Sequence, residues 1–233
     1  MSAAGPAGWL LRAVLLLAAA LAGLQLWYLG WIAYWKWHNP AMTAFMRHAQ
    51  ERRLAHHLPA ALSQQWVPYA HISGNLKRCV VSAEDARFLV HDGVDWTAME
   101  KAYETNRQPG RRIHGGSTIT QQVAKNLFLS AQRNYARKLQ ELLITWMLEA
   151  VWNKRRILEV YLNVAEWGDG VFGAKAAALH YFGVDPSALS PDQACLMAAM
   201  LPAPTLFDHH RDAPFLRTRS EAILHNMPGA QVP

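Results

Sequence analysis

Four short polar motifs between residues 84 and 163 carry side chains that can perform acid–base chemistry and bind anions. They are residues 84–93 (EDARFLVHDG), 115–122 (GGSTITQQ), 137–141 (RKLQE) and 157–163 (ILEVYLN). In the first motif, Glu84 lies between two apolar runs, which predicts a carboxylate at the edge of a pocket. Partial desolvation makes a carboxylate more basic, so Glu84 is a candidate general base. The plainer alternative is that Glu84 and Asp85 only compensate a helix dipole.

The segment of residues 107–156 is strongly basic. It holds ten Lys or Arg residues against two acids, Glu141 and Glu149, so its formal charge of +8 exceeds the +6 of the whole chain. Glu residues inside a cationic segment indicate acid–base chemistry on a substrate with concentrated negative charge. Nucleic acid is the obvious partner for a basic patch, but the chain carries no nucleic-acid-binding motif. Together with an apolar N-terminal segment, the charge favours a phosphate-bearing lipid.

Arg133, Arg137 and Glu141 recur every four residues along one predicted helix. A simple ion pair between Arg137 and Glu141 would contribute about 0.3–0.5 kcal/mol, and this is the plainer alternative. However, a cation N-terminal to its anion is the weaker orientation, and the first turns of a helix disfavour cations such as Lys138. The pattern therefore predicts an anion nearby, with Lys125 as a further point charge.

An uncharged run of 22 residues at positions 13–34 predicts a transmembrane helix. As a helix it would be about 33 Å long, enough to cross a hydrocarbon core of about 30 Å. Trp and Tyr crowd its C-terminal end, as in an interfacial aromatic belt. The alternative, a cleaved signal peptide with Arg12 as its basic region, fits less well because the run is long and no small-residue cleavage site follows it.

The pattern from residue 80 onward is helical almost throughout, so the expected fold class is mainly α. Strand signals are sparse and favour residues 69–72 alone. Thr118 and Gln121 have the form of a capping box. The helix after residue 134 is expected to turn one face toward the core, made of Leu139, Leu142, Leu143, Trp146 and Ala150. Further helices are predicted at residues 95–106, 155–164, 171–181, 191–200 and 214–225.

Cysteine and histidine give no sign of a metal site. Cys79 and Cys195 lie in apolar surroundings and are expected to be buried free thiols, although a disulfide stays possible if the domain is exported. The eleven His residues are scattered, and adjacent pairs such as His56 and His57 lack the helical spacing of ligands.

The four motifs, in this order, resemble those of the peptidoglycan glycosyltransferases, glycosyltransferase family 51. A weaker fifth match lies at residues 219–227 (RSEAILHNM), where Ser220 replaces a second Arg that is often expected. The resemblance covers about residues 66–227. Because the chain has no Ser-x-x-Lys or Lys-Thr-Gly motif, it is expected to be the monofunctional biosynthetic form without a transpeptidase domain.

The resemblance implies a lysozyme-like helical head with a small membrane-associated jaw, preceded by one transmembrane helix. The expected divisions are a short cytoplasmic tail, the transmembrane helix, a juxtamembrane or jaw segment and the catalytic domain: residues 1–12, 13–35, 36–65 and 66–233. It also implies a single-pass protein of the bacterial inner membrane, with a cytoplasmic N-terminus and a periplasmic catalytic domain.

The reaction implied is polymerisation of lipid II into β-1,4-linked glycan strands, with inversion at the anomeric carbon and release of undecaprenyl pyrophosphate. Glu84 would deprotonate the acceptor hydroxyl, and Glu141 would position or assist the donor. The predicted substrate-binding residues are Asp85, His91, Ser117, Thr118, Gln121, Gln122, Lys125, Asn126, Arg133, Arg137 and Lys138. Residues 108–116 are expected to form a mobile flap over the cleft.

The expected partners are lipid II, the growing strand, the inner membrane and other cell-wall synthesis proteins. The sequence requires no cofactor, although a divalent cation, Mg²⁺ or Mn²⁺, at the pyrophosphate is compatible with it. Two other classes stay open: a lysozyme-like cell-wall hydrolase or lytic transglycosylase, and a catalytically silent membrane scaffold. The first has no need of the cationic cluster, and intact Glu84 and Glu141 argue against the second.

Overall fold

The computed structural model describes residues 6–107, 116–130, 132 and 134–233. The chain divides into two compact units, and the boundary in sequence falls between His38 and Asn39. The first unit is built on one long helix, α1 (Pro6–Tyr34). Within it, Ala7–Tyr34 is long and apolar enough to cross a membrane, which confirms the predicted candidate span.

The second unit is mostly helical, and 68% of the residues that the structure describes are helical, which confirms the mainly α class. Its sheet has three short strands in the order β1-β3-β2, where β1 is Ser63–Gln64, β2 is Glu166–Gly168 and β3 is Val171–Phe172. The helices are α2 (Ala44–Ala55), α3 (Gly74–Glu84), α4 (Trp96–Asn106), α5 (Ile119–Phe128), α6 (Tyr135–Val151), α7 (Lys154–Val164), α8 (Ala174–Phe182), α9 (Pro191–Met200), α10 (Pro204–His209) and α11 (Pro214–Asn226).

Several helices begin directly after a residue whose side chain caps them. Thr118 forms the predicted capping box with Gln121, and a second capping box joins Ser190 and Gln193 at the start of α9. Asp95 caps α4 by accepting a hydrogen bond from the backbone N–H of Ala98. These local bonds satisfy N–H groups that the helix itself leaves free.

The strand predictions are wrong. Residues Tyr69–His71 form a 3₁₀ turn that follows Pro68, not a strand. The helix predicted from residue 171 begins at Ala174 because β3 precedes it. Gly173 ends β3 with φ of +82°, and a Cβ there would lie 2.7 Å from the carbonyl oxygen of Asn163. This conformation and this close approach separate strand from helix at a position that only glycine fills without strain.

Helix α6 turns a different face to the core from the one predicted. The predicted core residues Leu139 and Trp146 are 60% and 47% exposed. The buried side chains are instead Glu141, Ile144, Thr145 and Leu148. Hydropathy alone misplaced this face because a carboxylate occupies one of its core positions.

Helix α3 ends at Glu84, although Phe88 and His91 follow it at helical spacing. Asp85 is its C-cap residue, with φ of −162°, and the chain turns there. Glu84 therefore stands in the last turn of a helix whose Leu76, Val80 and Val81 are buried. α3 packs against α9 and α11, while α5 packs against α6 and α7. These two groups of helices hold the polar motifs.

Residues 39–65 belong to the same compact unit as residues 66–233. α2 packs against α5, and β1 pairs in parallel with β3. Arg53 Nη1 donates to Asp169 Oδ2 over 2.6 Å, which ties the end of α2 to the turn between β2 and β3. The predicted boundary at residue 66 therefore lies inside this unit.

Cys79 and Cys195 form a disulfide, so the expectation of free thiols is wrong. Their Cα atoms are 5.0 Å apart, and the bond joins α3 to α9 across 116 residues of sequence. Both cysteines are fully buried. Their apolar surroundings gave a correct prediction of burial, but the pairing depends on how α3 packs against α9.

Removing the disulfide should lower the free energy of unfolding by about 2–4 kcal/mol, because a long loop is no longer closed in the unfolded chain. Denaturation of the double variant Cys79→Ala/Cys195→Ala, compared with wild type in detergent, measures this. Reductant should lower the midpoint of wild type and leave that of the double variant unchanged. Equal midpoints for oxidised and reduced wild type would contradict the prediction.

Candidate active site

A cavity of about 660 Å³ in the second unit lies on α5 and α6. Seven residues predicted from the motifs line it: Ser117, Gln121, Gln122, Lys125, Arg137, Lys138 and Glu141. Phe45, Asn134 and Tyr135 complete its walls, and the sequence motifs did not point to these three. The structure thus brings most of the predicted site residues together around one space.

Glu84 stands beside this cavity and is held on both carboxylate oxygens. Gln122 Nε2 donates to Glu84 Oε2 over 2.8 Å, and Arg219 Nη2 approaches Glu84 Oε1 at 3.3 Å. The hydroxyl of Tyr161 donates in turn to Gln122 Oε1 over 3.1 Å, which fixes the orientation of that amide. Glu84 also lines a smaller cavity of about 260 Å³, and Ser117 lines both.

The environment of Glu84 makes it a stronger base than a carboxylate in water. Burial raises the pKa of Glu84, and the hydrogen bond from Gln122 and the charges of Arg219 and Lys125 oppose this rise only in part. A raised pKa suits a group that must accept a proton near neutral pH. The prediction of a partly desolvated carboxylate at a pocket edge is thereby confirmed.

Glu141 is only 3% exposed and lies among cations. Arg137 Nη1 donates to Glu141 Oε2 over 2.5 Å, and Lys138 Nζ donates to Oε1. The ion pair between Arg137 and Glu141 therefore exists, but its carboxylate is buried and is shared between Arg137 and Lys138. The buried Nε–H of Arg137 has no acceptor in the described part of the chain.

Lys125 reaches the same cavity from α5. Burial lowers the pKa of Lys125, and the charges of Arg137 and Lys138 lower it further, whereas Glu141 and Glu84 raise it. Three cations therefore surround the one carboxylate that lines the cavity. This excess of positive charge is what an anionic group bound there would neutralise.

Asp85 and His91 lie behind the cleft and bond to each other. The backbone N–H of Gly93 donates to His91 Nδ1 over 3.2 Å, so His91 Nε2 carries the proton and donates to Asp85 Oδ1 over 2.8 Å. Asp85 Oδ2 accepts from the backbone N–H of Ile119 over 3.0 Å at the start of α5. The Asp85–His91 pair therefore joins the end of α3 to the start of α5. Contact of Asp85 or His91 with substrate stays a prediction.

The remaining predicted residues that the structure describes do not line the larger cavity, although Thr118, like Asp85, lines the smaller one with Glu84. Thr118 and Asn126 are buried and do not line the larger cavity, and Thr118 donates to the carbonyl oxygen of Gly93 over 2.6 Å. Glu149, the second acid of the basic segment, accepts from Lys154 and Thr120 over 2.7 and 2.6 Å. Arg133 and most of the predicted flap at residues 108–116 lie outside the described residues.

Two residues that hold Glu84 in place belong to motifs that were noticed without a role for these residues: Arg219 contacts Glu84 directly, and Tyr161 contacts it through Gln122. Tyr161 belongs to the fourth motif and is buried, and burial raises its pKa well above the ordinary value, so its hydroxyl stays protonated. Arg219 opens the weak fifth match on α11, more than a hundred residues away in sequence. Neither contact has a local sequence signal, because each depends on how α7 and α11 pack.

A carboxylate with a raised pKa beside clustered cations is an arrangement that can combine proton transfer with the binding of an anion. Comparison with known proteins identifies the class of enzyme. The model of the transglycosylase family matches residues 50–228, so the chain belongs to that family. It is a peptidoglycan glycosyltransferase of cell-wall synthesis.

Three relatives show how far the similarity extends, and each is called a biosynthetic peptidoglycan transglycosylase. The protein of Laribacter hongkongensis is 51% identical over 225 residues, which is 97% of this chain and 99% of the relative. That of Nitrosospira multiformis is 49% identical, over 97% and 98%. That of Dechloromonas aromatica is 50% identical over 223 residues, 94% and 96%.

Arg219→Ala should shift the acid limb of the pH–rate profile to higher pH. The charge of Arg219 lowers the pKa of Glu84, so its removal raises that pKa further and leaves the base protonated over a wider range. Arg219→Lys should restore part of the shift. Arg217→Ala, which removes an exposed cation on the same helix, serves as the control. An acid limb at the same pH in Arg219→Ala and wild type would refute the contact as a functional one.

Proposed function

We propose that this glycosyltransferase polymerises lipid II into β-1,4-linked glycan strands and releases undecaprenyl pyrophosphate. The observation that carries the proposal is the arrangement of Glu84 and the cavity. A carboxylate with a raised pKa, bonded to Gln122 at 2.8 Å, stands beside a space where Lys125, Arg137 and Lys138 converge. A base and an anion-binding group are the two elements that the transfer of a sugar from a lipid pyrophosphate needs.

In the proposed reaction, Glu84 accepts the proton of the acceptor 4-hydroxyl. The freed oxygen attacks the anomeric carbon of the donor and forms the new glycosidic bond with inversion. The bond from that carbon to the phosphate oxygen breaks, and its electron pair leaves with the pyrophosphate. Lys125, Arg137 and Lys138, with Arg133 as predicted from the sequence, stabilise this developing charge.

Glu141 acts in this scheme through the cations that it binds. Its two oxygens hold Arg137 and Lys138 at the wall of the cavity, so that both donors are oriented before substrate arrives. Ser117, Gln121 and Gln122 line the remaining wall and contact the sugars. We assign Asp85, His91 and Thr118 to the support of these groups, and Asn126 keeps its predicted role in substrate binding.

A divalent cation at the pyrophosphate, Mg²⁺ or Mn²⁺, is compatible with this scheme. Among the described residues no group of three His, Cys, Asp or Glu side chains is arranged so that it could hold a metal ion. The carboxylate that lines the cavity, Glu141, already binds Arg137 and Lys138. Such a cation would therefore take most of its ligands from phosphate oxygens and water.

We also infer that α1 crosses the bacterial inner membrane and that the second unit lies in the periplasm. The length and apolar character of α1 support the span. The disulfide between Cys79 and Cys195 supports an oxidising compartment. In this location the enzyme meets lipid II and the growing strand in the plane of the membrane, together with other cell-wall synthesis proteins.

Glu84→Gln keeps the size and hydrogen bonding of the side chain but removes the base. Polymerisation of labelled lipid II should fall by at least about 10²-fold, as for the loss of a general base. Glu51→Gln, which changes an exposed carboxylate on α2, should leave the rate unchanged. Strand synthesis by Glu84→Gln at a near-normal rate would refute its role. Shorter strands or no strands from wild type would refute the proposed function.

Lys125→Ala and Arg137→Ala should weaken binding of the pyrophosphate far more than binding of neutral sugar. Competition by a pyrophosphate-bearing substrate analogue and by a phosphate-free one, measured in wild type and both variants, tests this. Arg78→Ala removes an exposed cation on α3 and is the control. If both analogues lose affinity equally, Lys125 and Arg137 have a structural role, and pairing with Glu141 accounts for the cations better than anion binding does.

A further inference from the structure

One wall of the active cleft comes from outside the four motifs and outside the part of the chain that matches the transglycosylase family. That match begins at residue 50. Phe45, in the first turn of α2, nevertheless lines the cavity with Lys125 and Glu141. Its ring faces the ammonium of Lys125, with 5.0 Å between Nζ and the ring centroid.

Helix α2 is fixed at both ends, so the position of Phe45 is defined. Thr43, which is fully buried, accepts a hydrogen bond from the backbone N–H of Met46 over 3.1 Å. Met46 and Ala49 are buried, and α2 packs against α5, which carries Lys125. At the other end, Arg53 is bonded to Asp169 and to the carbonyl oxygen of Pro59. Phe45 therefore has a fixed position in the wall of the cleft.

The charges around Lys125 explain why an aromatic ring is useful there. Lys125 faces Glu84 from α3 and Arg137, Lys138 and Glu141 from α6. Two of these are cations that repel its ammonium. A second carboxylate beside Lys125 would hold the ammonium but would also repel an incoming pyrophosphate. The face of an aromatic ring attracts a cation and carries no net charge, so it holds Lys125 without reducing the positive field of the cleft.

We propose that Phe45 is a positioning residue, which holds the ammonium of Lys125 where it can bind the anionic leaving group. Helix α2 then contributes a residue to the active site. The proposal rests on the proposed function for the role of Lys125. Because Phe45 acts through Lys125 on charge that develops as the pyrophosphate leaves, its loss should lower kcat more than it raises KM.

The test compares Phe45→Leu, which keeps an apolar side chain but removes the ring, with Phe45→Tyr, which keeps the ring face. In the full-length chain, Phe45→Leu should lower kcat for lipid II by about 3- to 30-fold. Phe45→Tyr should stay near wild type. Leu54→Ala removes an apolar side chain that is 58% exposed on the same helix and should have no effect. Denaturation midpoints show whether each variant is folded.

A second readout does not depend on activity. Labelling of Lys125 with acetic anhydride as a function of pH, followed by mass spectrometry, reports its protonation. Loss of the ring removes an interaction that favours the charged form, so the labelling curve of Phe45→Leu should move to lower pH and that of Phe45→Tyr should not. The basic limb of the pH–rate profile should move in the same direction, because Lys125 must be protonated.

These readouts separate the possible failures. If Phe45→Leu matches wild type in kcat and labelling, the proposal is wrong. If its activity falls while the labelling curve stays in place, Phe45 only stabilises the fold, and the proposal is again wrong. If wild type makes no strands from lipid II, the proposed function fails, whereas a shifted labelling curve would still show that Phe45 holds Lys125.

Discussion

The active site depends on keeping a basic carboxylate and a group of cations close together without letting them neutralise each other. Opposite charges in a region of low dielectric attract strongly. A direct ion pair between Glu84 and Lys125 would make Glu84 a weaker base and would leave Lys125 unable to bind an anion, which are their proposed roles. The structure prevents this by giving each group other partners. Gln122 and Arg219 hold Glu84, while Glu141 binds two of the cations on α6.

Separate helices make this division possible. Glu84 ends α3, Gln122 and Lys125 stand on α5, and α6 presents the Arg137–Glu141 pair. The Asp85–His91 pair joins the end of α3 to the start of α5, and the disulfide fixes α3 to α9. The position of Glu84 relative to the cations therefore follows from the packing of rigid elements.

The sequence predicted the parts of the site that local chemistry specifies. The capping box of Thr118 and Gln121 gave the start of α5, and the resemblance of the motifs to a known family assigned Glu84 and Lys125 to one site. The exposed face of α6 was misjudged because a buried carboxylate, Glu141, has the hydropathy of a surface residue until its partners are known. Pairing of Cys79 with Cys195, and the contact of Phe45 with Lys125, carry no local pattern, because both arise where distant segments pack.

The most direct test of this account is a structure of the Glu84→Gln variant with an unreactive lipid II analogue in the donor site and lipid II as acceptor. The account predicts the pyrophosphate against Lys125, Arg137 and Lys138, and the acceptor 4-hydroxyl within hydrogen-bond distance of the residue 84 side chain. A pyrophosphate bound away from these cations, or an acceptor hydroxyl facing Glu141 instead, would contradict the assignment of base and anion site.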